Sequence, residues 1–172
     1  LRQAITEVCP GGVITFDSDY TIYLSSTLTI NKAVTVNGAG HAIIISGDTG
    51  GNGANDLRPI VIGASGIVTL THLSIMDGTA TTGSAISNGG TIVPATVTVA
   101  DNNAASTKNA NLGTLYNAGT LTVKNSTFAH NETYRGGGIY HQSGTASVTN
   151  STFAENTVTE GGGIYNRSTM SV

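Results

Sequence analysis

The chain of 172 residues is long enough for one domain, and its composition excludes several classes of partner. Charged residues make up 10% of it, less than half of the usual share of about 25%, while its 23 glycines are about twice the usual number. The net charge of −3, without any run of lysine or arginine, argues against binding to nucleic acid or to an anionic membrane. No apolar run approaches the roughly 20 residues of a membrane-spanning helix, so we expect no membrane span.

The first residues have the pattern of a cap at the end of a repetitive fold. Within residues 1–8, apolar side chains recur at helical spacing, at Leu1, Ala4, Ile5 and Val8. The following CPGG, residues 9–12, stops a helix. The pattern predicts a short N-terminal helix that covers the open end of an apolar core, as terminal units of solenoids do.

Residues 13–65 alternate short β-strand patterns with turns. Aliphatic and β-branched runs occupy residues 13–16, 28–30, 34–36, 43–45 and 59–62, with glycine-rich corners between them. The polar, glycine-rich residues 46–58 break this pattern, so we interpret them as a loop that leaves the coils. Part of this loop comes near a calcium-binding G-G-x-G-x-D repeat, but Asn55 replaces the carboxylate and no second copy follows.

Residues 66–172 contain a repeat of about 25 residues. The segment NSTFAHNETYRGGGIY at residues 125–140 returns as NSTFAENTVTEGGGIY at residues 150–165. A fixed period of this size usually means a solenoid, in which each unit buries its apolar face only by stacking on its neighbours. The GGG triplets are best explained as tight corners, because neither a P-loop lysine nor a helix follows them.

The pattern inside one repeat decides what kind of solenoid this is. Three runs, around Val123, Phe128 and Ile139, alternate apolar with small polar residues, which is the periodicity of β-strands. The sequence therefore predicts an all-β fold, a right-handed parallel β-helix of about six coils with a short N-terminal capping helix, as a single domain over residues 1–172.

Equal positions of consecutive coils should lie directly above one another. We expect three such pairs: Phe128 with Phe153, Asn131 with Asn156, and Arg135 with Glu160. The phenyl rings should point inward and stack, so Phe153→Ala should cost roughly 3–5 kcal/mol. The asparagines should form an amide ladder at a turn. The charged pair should form an exposed ion pair, which adds little stability.

The repeat motifs resemble those of a known family. The signatures GGGI, at residues 136–139 and 161–164, and FxxN, at residues 128–131 and 153–156, are similar to the repeats of the polymorphic outer membrane protein family. Its members are surface-exposed, autotransporter-like right-handed β-helices of the pectin-lyase-like superfamily. The resemblance covers residues 66–172, with incomplete glycine motifs at residues 83–86 and 112–115. It implies an extracellular or cell-surface (outer-membrane) location.

The first five residues are similar to the LR-x-AI segment that opens many large secreted β-helix proteins of bacteria and archaea. The chain is therefore expected to be a fragment of a larger protein. A cysteine often closely precedes that segment, so the resemblance implies a disulfide between Cys9 and a residue upstream of Leu1. Cys9 is the only cysteine and is expected to be at least partly buried. The alternative is a free, buried thiol that packs as a small apolar side chain.

An enzyme has to be considered, because pectate lyases and polygalacturonases share this architecture. Such enzymes need an acidic calcium site with a basic residue beside it, or two carboxylates that flank one bond. Aligning the repeats places four polar residues in one column: Asp77, Ser106, His130 and Glu155. His130 and Glu155 are the best acid–base pair in the chain. The simpler interpretation is a row of polar residues on a solvated turn.

Two further columns carry alternative interpretations. Tyr116, Tyr140 and Tyr165 form either a strip on which sugars stack or a solvated aromatic ladder. A second column contains hydroxyl side chains: Thr69, Thr98, Thr122, Ser147 and Ser171. It invites an ice-binding interpretation, because flat threonine arrays can order water, but threonine is also simply a good outward-facing strand residue. Ice binding would require two regular, parallel columns of threonine.

The sequence thus favours a non-enzymatic, adhesin-type segment of a secreted or surface-anchored protein, which presents loops to a host or cell-surface protein or a polysaccharide. The alternative is a polysaccharide-active enzyme of the pectate lyase or polygalacturonase type, with its site outside this chain or around His130 and Glu155. No catalytic or metal-binding residue is assigned, no cofactor is expected, and the binding residues stay open.

The single domain divides into three parts. Residues 1–12 form the cap, residues 13–65 form irregular coils with the loop insertion at residues 46–58, and residues 66–172 form the repeat coils. We expect further chain to cover the C-terminal edge, because an exposed edge of a parallel sheet is a site of uncontrolled pairing.

Overall fold

The structure is a computed structural model that describes residues 1–104 and 112–172. It contains one short helix and a succession of short strands. The helix is α1 (Arg2–Glu7). The strands are β1 (Gly12–Ile14), β2 (Tyr20–Tyr23), β3 (Leu28–Ile30), β4 (Ala33–Asn37), β5 (Ile43–Ser46), β6 (Ile60–Ile62), β7 (Ile67–Met76), β8 (Ile86–Asn88), β9 (Thr91–Ala100), β10 (Leu115–Asn117), β11 (Thr120–Lys124), β12 (Thr127–Ala129), β13 (Glu132–Arg135), β14 (Ile139–His141), β15 (Thr145–Thr149), β16 (Thr152–Ala154), β17 (Thr157–Glu160), β18 (Ile164–Asn166) and β19 (Thr169–Ser171).

These strands stack into a parallel β-solenoid of about six coils, which confirms the predicted fold class. The largest sheet has eleven strands, and its main path runs β1-β4-β7-β9-β11-β15-β19. A six-stranded sheet, β18-β14-β10-β8-β6-β3, forms another face, and β13 pairs with β17 at a corner. Because each coil pairs in parallel with the next, equal positions form columns along the axis.

The core lies inside the coils and is built from the alternating apolar residues of the strands. In one inward column, Ile45, Ile75, Val99 and Phe128 are each at most 1% exposed and are paired coil by coil. Each unit alone could not bury these side chains, so stacking of the coils supplies the apolar burial that stabilises the fold.

The N-terminal helix covers one end of this core, as predicted. Ile5 is 7% exposed and belongs to the apolar core. The ammonium group of Lys32 donates hydrogen bonds to the carbonyl oxygens of Thr6, at 2.9 Å, and Val8, at 2.6 Å. A cation at the C-terminal end of a helix satisfies carbonyl groups that have no partner inside the helix. The helix is therefore attached to the second coil through its last turn.

The repeat coils contain one more strand than the sequence predicted. Strands β11, β12 and β14 fall at the three predicted positions, but β13 and β17 pair with each other at the corner before the glycine triplets. β2 was missed in the first coil. The three missed strands β2, β13 and β17 are each only four residues long, which is too short for periodicity to reveal them.

The predicted tight corners are confirmed at the glycines. Gly83, Gly113, Gly136 and Gly161 precede strands of the six-stranded sheet, and their φ angles lie between +62° and +67°. This left-handed conformation is open to glycine without a steric cost. The incomplete glycine motifs therefore retain the one glycine that the backbone requires.

One loop was predicted to leave the coils. It spans residues 46–58 and lies between β5 and β6. Residues 105–111, which follow β9, lie outside the described part of the chain.

Candidate functional site

The best candidate site is a column of polar residues at the corner that follows the second strand of each coil. Its members are Asp77, Asp101, His130 and Glu155, each with a positive φ angle between 52° and 55°. The sequence alignment placed Ser106 in this column, which is wrong. Strand β9 runs without interruption to Ala100, so Asp101 takes the corner position. Ser106 itself lies outside the described residues.

His130 and Glu155 lie on adjacent coils, as predicted. Nδ1 of His130 is 3.4 Å from Oε2 of Glu155, and the two side chains are 54% and 73% exposed. A general acid or base at a working active site usually owes its tuned pKa to burial or to a charged neighbour in a low-dielectric pocket. This pair is solvated on both sides, so it fits the simpler interpretation of polar residues on a solvated turn.

The rest of the column is tied to the loop between β5 and β6. The hydroxyl group of Ser46 donates a 2.7 Å hydrogen bond to Asp77. The side-chain amide of Asn55 donates to the backbone carbonyl of Asp101, at 3.2 Å. Thus the residue that replaces a calcium-binding carboxylate in the loop fastens the loop to a coil two positions further along the axis. Within the described residues, no group of three or more His, Cys, Asp or Glu side chains could hold a metal ion.

The loop is also held from within by Asp48, which is 2% exposed. Its carboxylate accepts hydrogen bonds from the backbone N–H groups of Gly50, at 2.9 Å, and Gly53, at 2.7 Å. Burial opposes ionisation of Asp48, but these backbone donors outweigh it and hold the pKa of the carboxyl below its usual range. The charge of Asp48 therefore organises the loop.

The tyrosine column is a stacked ladder. The ring centroids of Tyr116 and Tyr140 are 5.8 Å apart, and those of Tyr140 and Tyr165 are 5.2 Å apart, with nearly parallel rings. Tyr140 is 1% exposed, so both of its ring faces are covered by the neighbouring rings. Burial raises the pKa of Tyr116, with a smaller contribution from Tyr140. A sugar cannot stack on the central ring, and the aromatic-ladder interpretation fits this geometry better.

Beside this ladder lies the predicted ion pair. Nε and one terminal nitrogen of Arg135 donate to the two carboxylate oxygens of Glu160, at 2.7 Å and 3.3 Å. The guanidinium also lies over the rings of Tyr134 and Tyr165, with Cζ 5.2 Å and 5.6 Å from their centroids. Cation–π contact and a two-point ion pair fix the orientation of this arginine.

The predicted asparagine ladder is confirmed and is one coil longer than expected. The amide of Asn102 donates to Oδ1 of Asn131 at 3.0 Å, and the amide of Asn131 donates to Oδ1 of Asn156 at 3.0 Å. Asn131 has no exposed surface. The amides of Asn102 and Asn131 also donate to backbone carbonyl oxygens. The buried polar groups of the turn therefore find hydrogen-bond partners inside the protein.

Sequence reasoning missed a second buried polar ladder, which contains a histidine. The amide of Asn88 donates to Oδ1 of Asn117, at 2.6 Å. The amide of Asn117 lies 2.9 Å from Nδ1 of His141, whose Nε2 lies 3.1 Å from the carbonyl oxygen of Thr169. His141 has no exposed surface. The signal was present in the sequence, because the residue two positions after the aligned Ile or Leu of β8, β10 and β18 is asparagine.

The predicted hydroxyl column is partly wrong. Thr122, Ser147 and Ser171 do form one column. Thr69 belongs to the same column, but Val93 separates it from Thr122. Thr98 does not, because it pairs with Ser74 and Thr127 on the neighbouring face. The error has the same origin as the misplaced Ser106, namely the extra length of the coil that contains β9.

Two other expectations concern the chain as a whole. Cys9 is exposed, so the expected burial of its thiol is wrong, and so is the alternative of a thiol packed in the core. The disulfide to an upstream residue stays a prediction. None of the described residues forms a helix long and apolar enough to cross a membrane.

Comparisons of the chain with protein-family models, with curated proteins and with solved structures found no match. The fold class thus rests on the strand pairing, and the function has to be argued from the side chains.

Proposed function

We propose that this chain is a non-enzymatic scaffold segment of a secreted or surface-exposed protein of adhesin type, whose loops and outward faces bind a host or cell-surface protein or a polysaccharide. The observation that carries the proposal is that charged groups hold the helix, a loop and adjacent coils in place. Lys32 fixes the cap helix, Asp48 organises the loop between β5 and β6, and Arg135 pairs with Glu160.

Arg58 is a further charged group that holds two coils together. The guanidinium of Arg58, which follows the loop, donates from Nε to the carbonyl oxygen of Gly83 in the next coil, at 2.8 Å. Burial lowers the pKa of Arg58, and its hydrogen bonds to backbone carbonyls compensate for the lost water. These groups stabilise coils and loops, which is what a rigid presenting scaffold requires.

The resemblance of the GGGI and FxxN repeats to the polymorphic outer membrane protein family supports the same proposal, as does the low content of charged residues. A location outside the cell or on its surface follows from the resemblance and is part of the proposal. So is the absence of nucleic acid from the partners, which the net charge of −3 supports.

The same proposal includes a further coil on the C-terminal end. Phe153 and Ile164 are only half-buried there, whereas their counterparts one coil earlier, Phe128 and Ile139, have no exposed surface. A coil of the same solenoid fits this apolar end, because its strands would continue both ladders. Adding a coil with the pattern of residues 145–166 should raise the midpoint of thermal unfolding, and an unchanged midpoint would contradict this part.

The test of the scaffold proposal compares binding with catalysis. Fluorescently labelled protein should bind to intact cells or to immobilised surface polysaccharides in a saturable manner, and unlabelled protein should compete. The same preparation should release no product from polygalacturonate or other plant and bacterial polysaccharides.

A rival enzymatic function would involve His130 and Glu155, which the structure brings within 3.4 Å. If product release were found, and Glu155→Gln abolished it while the exposed Glu132→Gln did not, the scaffold proposal would be wrong. If neither binding nor product release were found, the proposed function would also fail.

A further inference from the structure

The outward face of the largest sheet carries two parallel columns of hydroxyl side chains. On the last three strands of the main path, each strand contributes two of them: Thr120 and Thr122 from β11, Thr145 and Ser147 from β15, and Thr169 and Ser171 from β19. We call these six residues the hydroxyl face. The pairing register joins them residue by residue, so the array has no bulge or shift.

The same two columns continue toward the N-terminal coils with uncharged residues. Thr91 extends the first column and Thr69 extends the second, beyond an interruption at Val93. Val13 and Ile67, each 58% exposed, lie in the same columns. No position in either column is charged along the seven strands of the main path.

The hydroxyl groups of this face are free to bind something outside the protein. None of the six hydroxyl groups makes a hydrogen bond with another described atom of the chain. Serines at the neighbouring corners behave differently, since Ser126 and Ser151 each donate to a backbone carbonyl two residues earlier. The difference follows from geometry, because a side chain that points outward from a strand has no backbone carbonyl within reach.

The spacing of the array is regular in two directions. Adjacent parallel strands lie about 4.8 Å apart, and alternate residues along one strand are separated by about 6.6 Å. β-branched threonine has few χ1 rotamers, so the hydroxyl and methyl positions are largely fixed before any ligand arrives. A rigid, repeating, uncharged array fits a partner that is itself rigid and repeating, because little side-chain entropy is lost on contact.

We propose that the hydroxyl face binds ice. An ice crystal presents a rigid, repeating surface of oxygen atoms, each of which can donate or accept a hydrogen bond. The hydroxyl groups of the face can bond to such oxygen atoms, while the threonine methyl groups exclude disordered water beside them.

Other partners fit the face less well. Protein interfaces depend on tyrosine, tryptophan and arginine at their centres, and the six residues include none of these. An anionic partner would find no cation in either column. The tyrosine ladder belongs to the six-stranded sheet, on another side of the coil, so this face offers no aromatic ring to a sugar polymer. Ice binding is independent of the scaffold function proposed above, so failure of one leaves the other unaffected.

The test uses the 172-residue chain and measures thermal hysteresis and the shape of single ice crystals in its solution. We expect hysteresis and faceted crystals with the unmodified chain. Thr145→Lys places a long charged side chain in the middle of the array and should abolish both effects. Thr152→Lys is the matched control, because Thr152 is an exposed threonine of the same coil on the neighbouring face, and it should retain them.

A gain-of-function variant guards against loss through misfolding. Ser147→Thr adds a methyl group to the second column and should increase the hysteresis, with an unchanged circular dichroism spectrum. A folded, unmodified chain without hysteresis or crystal shaping would overturn the proposal, as would equal losses in the two lysine variants. Retention on crystalline cellulose by a chain that ignores ice would also overturn it, and would assign the face to a polysaccharide.

Discussion

The phenyl ring of Phe153 packs against Gly138 so closely that a Cβ atom on Gly138 would lie 2.5 Å from Cδ1 of the ring. The same Cβ would lie 3.0 Å from Cβ of Phe128. The two phenyl rings stack with their centroids 5.1 Å apart. The third glycine of the GGG triplet therefore provides the space that the phenylalanine column needs. The earlier coils, with incomplete triplets, have Ile75 and Val99 in that column instead.

This contact predicts that Gly138→Ala is destabilising. The added methyl group would displace the stacked rings, and such overpacking costs about 1–3 kcal/mol of unfolding free energy. Gly162→Ala is the control, because no heavy atom lies within 4 Å of its Cβ position. That variant should be neutral or slightly stabilising, since alanine restricts the unfolded chain. Urea titrations of both variants measure the difference, and equal midpoints would refute the packing argument.

Phe128 and Phe153 should differ in how much each contributes to the free energy of unfolding. Phe128 has no exposed surface, whereas Phe153 is half-buried in the last complete coil. Phe128→Ala is expected to cost about 3–5 kcal/mol, the usual range for a buried phenylalanine. Phe153→Ala should cost less than that in this chain, contrary to the expectation from the sequence, because part of its ring is already in contact with water. Thermal and urea unfolding of the two variants would rank them, and the reverse order would show that the C-terminal end is better packed than its exposure indicates.

The sequence predicted the fold where its period was constant. A shift of 25 residues correctly paired Phe128 with Phe153 and Arg135 with Glu160. It failed in the coil that contains β9, where corresponding corner residues, Asp101 and His130, are 29 positions apart. The alignment put the extra length before this corner, so it misplaced Thr98 and Ser106 but left Thr69 and Asp77 in their correct columns. Periodicity alone cannot locate the extra residues, because a loop can leave a solenoid at any corner.

The candidate site was harder to predict than the fold for a related reason. Each of its residues is an isolated acid or histidine at a corner, a place where polar residues occur for purely structural reasons. His130 and Glu155 were found because they belong to intact repeats, whereas Asp101 was missed because its repeat is distorted. His141 was missed because it replaces asparagine in the column of Asn88, Asn117 and Asn166, so that the column is not uniform in the sequence.

The Arg135–Glu160 pair should make stability depend on pH in the acidic range. The hydrogen bond from Arg135 holds the pKa of Glu160 below its ordinary value of about 4.3, against a smaller effect of burial that raises it. A carboxyl group with a lowered folded-state pKa stabilises the fold above its unfolded pKa, and this contribution is lost as the pH falls through the folded value.

The unmodified chain should therefore have a higher midpoint of thermal unfolding than Glu160→Gln at pH 7, and the gap should close as the pH falls below about 4. Glu132→Gln is the control, because the partner of that carboxylate is the neutral amide of Asn103. Its midpoint should follow that of the unmodified chain over the same pH range. A gap that stays constant from pH 7 to pH 3 would show that the ion pair does not contribute.

Thr96 occupies a position that its side chain disfavours. Its φ angle is 59°, and the corresponding residue in the next coil, Asn125, has a φ angle of 48°. A left-handed conformation costs an ordinary L-residue about 1–2 kcal/mol, and β-branched residues suffer most, whereas asparagine tolerates it. Thr96→Asn should therefore raise the free energy of unfolding by about 1 kcal/mol.

The control for this substitution is Thr98→Asn, two residues further along β9. Asparagine is a poor strand residue there, and the backbone has no left-handed conformation to relieve, so this variant should be slightly destabilising. Urea titration of the two variants gives opposite signs if the backbone argument is correct. Destabilisation of equal size in both would mean that threonine at position 96 makes a contribution that its conformation does not reveal.

His141 takes the place of an asparagine in a buried ladder, and its hydrogen bonds define its tautomer. Because Oδ1 of Asn117 accepts from Asn88, the Asn117 amide must donate to Nδ1 of His141. The ring proton then lies on Nε2 and is donated to the carbonyl oxygen of Thr169. The nitrogen chemical shifts of the ring should accordingly be those of the Nε2–H tautomer, and shifts of the other tautomer would contradict the direction of the ladder.

The same geometry predicts how substitutions at position 141 behave. The amide of Asn88, two coils earlier, donates to the carbonyl oxygen of Thr120, which occupies the register position that Thr169 has relative to His141. An asparagine at position 141 can therefore make both bonds of the histidine, and His141→Asn should keep most of the stability. His141→Leu would leave the Asn117 amide and the Thr169 carbonyl without partners, at about 1–3 kcal/mol for each buried group. Urea titration should place His141→Asn between the unmodified chain and His141→Leu, whereas equal losses in the two variants would mean that the ring is retained for its volume and not for its hydrogen bonds.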